Sequence, residues 1–251
     1  MQAYQIVQKA RDIHRLSSWE IIQALCPNFI ECHGDRLMAD DAAIIGGVGL
    51  MDDQPLTIIG IQKGKTVKEN IKRNFGSSGP AGYRKAQRLM RQAEKFQRPI
   101  LTLINTAGAY CAPESEQNGI GEAIASSLLL MSELTVPTVA IILGEGGSGG
   151  AIALALADKV VMLENSIYSI LSPEGFASIL WKDAKLAPKA ADMMRLTAPE
   201  LLELGVIDDI IPETDDLLQN LITYIKESFR TLQQQPQSER LQKKYNKFRN
   251  F

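Results

Sequence analysis

The alternation of apolar and polar positions divides the chain into strand-like and helix-like stretches. Residues 42–50 and 56–62 are continuous apolar runs separated by Asp52-Asp53-Gln54-Pro55, which predicts a hairpin. Residues 100–104 and 136–143 read as buried strands, with Pro99 and Pro137 at their starts. Helical spacing covers 80–96, with Pro80 in the first turn, and 117–134, where Ile120, Ala123, Ile124, Leu128 and Met131 fall on one face. Residues 4–25 predict a helical lead-in, within 1–30, broken near Ser17-Ser18, where a serine can cap a new start at Trp19. Ser172-Pro173-Glu174 is a further helix start, and Pro199 opens a short helix ended by Gly205 as a left-handed C-cap. A last strand over 206–211, a last long helix over 217–232 and a polar, basic tail over 236–251 complete the pattern. Strand–strand–helix and strand–helix units in succession predict one α/β domain over 1–251.

Between the apolar run 136–143 and the small-residue run 151–157 lies Gly144-Glu145-Gly146-Gly147-Ser148-Gly149-Gly150. The order predicts a buried strand, a tight glycine turn and a helix of small residues. Five glycines in seven positions lose much chain entropy on folding. They make sense where backbone N–H groups must approach a ligand closely, beside the positive end of the next helix. A second turn of the same build, Thr106-Ala107-Gly108-Ala109-Tyr110, follows the strand at 100–104. Two such turns could line one pocket from two strands.

Four readings of the glycine run stand side by side. Gly144-x-Gly146-x-x-Gly149 spells a dinucleotide fingerprint, with Glu164 where a ribose-binding acid would fall. Gly146-x-Ser148-x-Gly150 spells a nucleophile elbow, but both histidines, His14 and His33, precede the serine. The third is an oxyanion hole of backbone amides, and the doubled glycine turn suits it best. The fourth is a close-packing turn with no ligand.

Composition narrows the classes. A net charge of −2 argues against wholesale nucleic-acid binding, and no apolar run is long enough to span a membrane. Residues 1–15 are polar and mixed in charge, unlike a signal peptide. Three cysteines, an odd number, point to a reducing, cytoplasmic setting. Cys26, Cys32 and His33 lie close together without a C-x-x-C, so packing cysteines fit better than a zinc site and no metal is expected. Charge is uneven: between Lys63 and Arg98 stand eleven basic residues and only two acids, Glu69 and Glu94. Lys63, Lys65, Lys68 and Arg73 fall on a glycine-flanked stretch that reads as a mobile basic loop for a polyanionic ligand. A solvated helix face is the plainer reading of Arg84 to Arg98.

Gly34-Asp35-Arg36, Gln62-Lys63-Gly64, Arg73-Asn74-Phe75-Gly76, Gly108-Ala109-Tyr110, the glycine run and Ser172-Pro173-Glu174-Gly175 stand in an order that carries a likeness. From about Val7 to Gly205 the chain resembles the family of α subunits of bacterial acetyl-CoA carboxylase carboxyltransferase. The resemblance implies a crotonase-like spiral of ββα units with peripheral helices. It implies transfer of the carboxyl group from carboxybiotin, carried by the biotin carboxyl carrier protein, to acetyl-CoA, giving malonyl-CoA for fatty acid biosynthesis. It also implies a zinc-ribbon β subunit in an α2β2 assembly and no cofactor bound covalently to this chain. By the same resemblance Gly146 and Gly147 supply amides facing the biotin ureido oxygen, and the β subunit supplies the pair for the thioester oxygen. Lys63, Lys65, Lys68, Arg73, Gly108, Ala109 and Tyr110 are the expected substrate-binding residues.

The sequence departs from the family pattern over Cys111-Ala112-Pro113-Glu114-Ser115-Glu116-Gln117-Asn118, where a glycine and a glutamate–arginine pair are replaced. Two other classes follow. One is a stand-alone crotonase-type acyl-CoA enzyme with Glu116 or Glu145 as its acid/base. The other is a non-catalytic or regulatory α paralogue with an altered 111–118 loop.

Overall fold

The computed structural model describes residues 2–250. Two helices, α1 (Ala3–Ala10) and α2 (Ser18–Leu25), lead in. Ser17 caps α2 one residue earlier than expected, in a reciprocal box with Glu20. Strand β1 (Ile30–Glu31) pairs antiparallel with β2 (Ile44–Met51), which turns into β3 (Gln54–Ile61). The hairpin loop is two residues rather than four, because Asp52 and Asp53 are both left-handed, with φ 48° and 64°. Gln54 and Pro55 are therefore strand residues.

Then come α3 (Val67–Lys72), α4 (Pro80–Lys95), β4 (Ile100–Thr106), α5 (Pro113–Gln117) and α6 (Ile120–Glu133). The helix expected over 117–134 starts later because Gly119, at φ 81°, separates α5 from α6. Next are β5 (Thr138–Gly147), α7 (Ser148–Ala155), β6 (Lys159–Leu163), β7 (Ile167–Ser169), α8 (Pro173–Trp181), α9 (Ala187–Met194) and α10 (Ala198–Glu203). The chain closes with β8 (Asp209–Ile211), α11 (Leu217–Gln234) and α12 (Gln237–Arg249). Strand β8 is half the expected length: the Val206 and Ile207 amides bond back to the Leu201 carbonyl and finish α10 instead. Gly205 is left-handed, at φ 72°, as its C-cap position requires.

The described strands form one mixed sheet in the order β1-β2-β3-β4-β5-β6-β8, with β7 added to the end of β5. From β3 onward neighbours run parallel. Parallel strands are covered on both faces, which is why these runs read as continuously apolar. Ile100, Ile104, Ala140 and Ile142 join α4, α6 and α7 in one core. Leu101, Leu103, Val139 and Ile141 join α2 and α11 in the other. The two-residue period of the strands divides the cores.

The basic segment after Pro236 is not a free tail. It forms α12 and is seated by two buried cations. Arg240 donates to the Val136 carbonyl at 3.2 Å, to the Thr135 carbonyl and to Asp158 Oδ2 at 2.9 Å. Lys244 donates to the Met131 and Leu134 carbonyls at 3.1 and 3.0 Å. The carbonyls left over at the C-terminus of α6 attract these side chains. Arg240→Ala should therefore cost about 3 kcal/mol, because it strips the nearer charge partner from the buried Asp158 and leaves it Lys244 at 4.0 Å. Denaturant unfolding of the full chain checks this; a loss below about 1 kcal/mol would place the seat of α12 elsewhere.

Candidate active site

The glycine run does not form a separate turn. Gly144–Gly147 are the last residues of β5, and Ser148 is the first of α7. The strand is held extended from both sides: Gly146 pairs with Thr106 of β4 and with Tyr168 of β7. At Asn105 the β4–β5 register shifts, and the Asn105 side-chain oxygen accepts the Glu145 N–H at 3.1 Å. The glycines supply space. A Cβ on Gly144 would lie 2.6 Å from the Ala10 carbonyl oxygen, on Gly147 2.0 Å from that of Ala107, and on Gly150 2.5 Å from the Ala109 nitrogen. The backbone of 107–109 is thus pressed against residues 147–150, and the two glycine-containing segments meet as the sequence pattern implies.

The amides at this junction are not used equally. Successive N–H groups along an extended strand turn to opposite edges, and Gly146 has a neighbour on each, Thr106 and Tyr168. Gly147 is the N-cap of α7, and the first turn of that helix carries no side-chain cap over its amides. Opposite them, Gly108 at φ 153° donates to Thr106 Oγ1 at 3.0 Å, and that hydroxyl donates to the Gly108 carbonyl at 2.8 Å. The Tyr110 N–H donates to the Ser78 carbonyl at 2.9 Å, and the phenol to Glu114 Oε1 at 3.1 Å. Residues 113–117 are helical, and Arg84 donates to the Asn118 carbonyl at 2.8 Å, so the altered 111–118 segment is tied to α4.

The basic residues expected on a mobile loop are instead held in place. Thr66 caps α3, and the cations find acids distant in sequence. Lys63 Nζ lies 2.7 Å from Glu145 Oε2, and Lys65 Nζ lies 2.5 Å from Glu20 Oε1. Arg73 donates to the Ala42 carbonyl at 2.8 Å. Lys68 is exposed and, among the described residues, without a partner. Arg11 completes the cluster, with Glu145 Oε1 at 2.8 Å and Glu174 Oε1 at 2.9 Å. Neither Asn105 nor Arg11 stood out in the sequence, although Asn105 lies near the end of the fully buried β4, a polar residue where burial demands a partner.

The alternative chemistries lose their residues. Glu164 accepts the Glu213 N–H at 3.1 Å, which ties it to the segment before α11. His33 faces Asp40 at 2.8 Å. Cys26 is buried, and burial pushes its thiol up to about 11. Burial raises the Glu145 carboxyl, but Lys63 and Arg11 outweigh it and hold the group below its usual value. A carboxylate fixed between two cations is a poor general acid or base. Arg11 likewise lowers Glu174 to about 2. Both folded values are depressed, so this stability is present above the usual glutamate pKa. It is lost as pH falls through the folded values, for Glu174 between its ordinary 4.5 and about 2. Acid titration followed by circular dichroism should show this loss shrinking in Arg11→Met; an unchanged acid limb would remove the cluster from the stability of the fold.

The family model described as acetyl co-enzyme A carboxylase carboxyltransferase-like matches residues 1–251. The acetyl-coenzyme A carboxylase carboxyl transferase subunits alpha of Streptococcus pneumoniae strains Hungary19A-6 and 70585 are each 52% identical over 255 residues, covering 100% of both chains. Among solved structures, transcarboxylase 12S with hydrolysed methylmalonyl-coenzyme A superposes with TM-score 0.73 at 16% identity, over 92% of this chain and 45% of that one. A Pseudomonas malonate decarboxylase hetero-tetramer in complex with coenzyme A gives TM-score 0.70 at 17% identity, over 89% and 90%. These two likenesses show the fold, an α/β architecture of the crotonase-like kind. With the match running from end to end, the chain belongs to the acetyl-CoA carboxylase carboxyltransferase-like family.

Proposed function

We propose that this chain is the α-type subunit of a carboxyltransferase that moves the carboxyl group from carboxybiotin to acetyl-CoA, forming malonyl-CoA in the cytoplasm. A zinc-ribbon β subunit completes it as α2β2, and the biotin carboxyl carrier protein delivers the carboxybiotin. One observation carries the reading. The 107–109 backbone meets a glycine-lined helix N-terminus with uncapped amides, while the nearest carboxylate, Glu145, is locked in ion pairs.

That arrangement suits a reaction in which oxygen charge appears without a side-chain nucleophile. When the N–carboxyl bond of carboxybiotin breaks, carbon dioxide leaves and the electron pair settles on the ureido group. That ureido anion takes a methyl proton from acetyl-CoA, the thioester oxygen takes up charge, and the resulting enolate carbon attacks the carbon dioxide. Fixed amides stabilise such oxygens without reorganising, and one donor is worth about 100- to 1000-fold in rate. In this chain the donors are the Gly147 amide and the first turn of α7, with Ala109 opposite; Gly146 holds the strand in position. A stand-alone acyl-CoA enzyme is not favoured, because Glu145 is paired and Glu116 is exposed on α5. A non-catalytic paralogue is not favoured either, because the 111–118 segment is folded and tethered.

The full chain should form malonyl-CoA from carboxybiotin and acetyl-CoA only when a carboxyltransferase β subunit is added. Transfer by the chain alone would sink the two-subunit reading. The cations separate by role. Lys68→Ala should raise the KM for acetyl-CoA a few-fold at unchanged kcat, with a penalty that shrinks as salt rises. Lys63→Ala should lower thermal stability and kcat together, because it leaves the Glu145 carboxylate held by Arg11 alone. Steady-state kinetics with thermal melts of the assembled enzyme check both. A Lys63→Ala enzyme of normal stability with only KM raised would return Lys63 to a simple binding role.

A further inference from the structure

The junction of β5 and α7 contains one residue with a side chain at a position that favours glycine. Ser148 has φ 46°, in the left-handed region. A Cβ makes that conformation costly, and glycine removes the cost. Glycines flank it on both sides at 147 and 149, so the serine is the exception in its own segment.

The ordinary structural uses of a serine at a helix start are absent. Ser148 does not cap α7, whose N-terminus has no side-chain cap. Its side chain is exposed, so it fills no core space. Its hydroxyl bonds to no other group among the described residues. The residue stands at the carboxyl end of a central parallel strand, where open α/β sheets bind ligands. Across from it lies the 107–109 backbone. A strained residue with an unused polar group at such a place points to function. Nucleophilic attack is not the role inferred: the carboxylate beside the junction, Glu145, is neutralised by Lys63 and Arg11, and His33 is engaged by Asp40.

We infer that Ser148 is a catalytic residue of the transfer, its hydroxyl donating a hydrogen bond to a substrate oxygen as negative charge develops there. It adds a side-chain donor to the backbone amides of the same junction. The inference rests on the carboxyltransferase reading above. The oxygen is either the ureido oxygen of biotin or the thioester oxygen of acetyl-CoA, and partial reactions tell them apart.

The test uses the full chain assembled with a β subunit and compares Ser148→Ala with Ser148→Gly. Alanine keeps the strained backbone and removes the hydroxyl; glycine relieves the strain and removes the hydroxyl. Both should lower kcat at least about 10-fold with assembly intact, while Ser148→Gly melts above Ser148→Ala. Carboxybiotin decarboxylation without acetyl-CoA and solvent deuterium exchange into acetyl-CoA without carboxybiotin are measured alongside. A loss in the first assigns the ureido oxygen, and a loss in the second the thioester oxygen. If Ser148→Gly turns over like the wild type, or if the loss follows disassembly, the donor role is overturned. An inactive wild-type assembly would instead overturn the transfer reading, and this role with it.

Discussion

The position of the glycine junction depends on the Glu145 carboxylate, held between Lys63 and Arg11. It joins three segments that are far apart in sequence, and Arg11 extends the tie to Glu174 at the head of α8. A buried ion pair returns little net stability, because desolvating the charges offsets most of their attraction. Its effect here is geometric. With the side chain pinned from two directions and its N–H taken by Asn105, Glu145 cannot rotate, and β5 must enter α7 along one path. The amides beyond it inherit that path.

The same tie disposes of charge that would otherwise interfere. A free cation beside the junction would hold an oxyanion tightly after reaction as well as during it. Such uniform binding lowers KM without raising kcat. Pairing Lys63 and Arg11 with glutamates leaves backbone dipoles and the Ser148 hydroxyl as the polar groups at the junction itself. Dipoles are strong only at close range, and this explains the glycines. Side chains at 144, 147 and 150 would push apart the backbone segments whose closeness makes the amides useful.

What was legible in the sequence was local. The helix starts at Ser17, Pro80 and Ser172, the β2–β3 hairpin and the left-handed stop at Gly205 each follow from a few adjacent residues. The doubled strand–glycine–helix pattern also placed the two glycine segments in one site. The partners of the cations were not legible. Lys63 and Arg11 reach a glutamate 82 and 134 residues away, and no spacing rule reports such a contact. The run at 63–73 looked like an unopposed positive loop because its acids come from elsewhere in the fold. The α12 segment was hidden for the same reason: Arg240 and Lys244 read only as part of a polar, basic tail until the carbonyls after α6 are known to face them. The boundary between turn and strand at Gly144 was illegible too, because β7, which extends the sheet there, is only three residues long.

The treatment of helix ends separates scaffold from site. Ser17, Thr66 and Ser172 bond the open amides of α2, α3 and α8. Lys244 covers the open carbonyls at the end of α6. These are the satisfied termini that a stable fold requires. The head of α7 is handled differently: it has a serine in its first turn, yet that serine does not cap it. Had the backbone at Ser148 been extended rather than left-handed, the hydroxyl could have turned back onto the amides, as Ser172 does at α8. The conformation at 148 therefore keeps amides and hydroxyl both open. A ligand oxygen arriving at the carboxyl edge of the sheet meets donors that the chain has not already consumed.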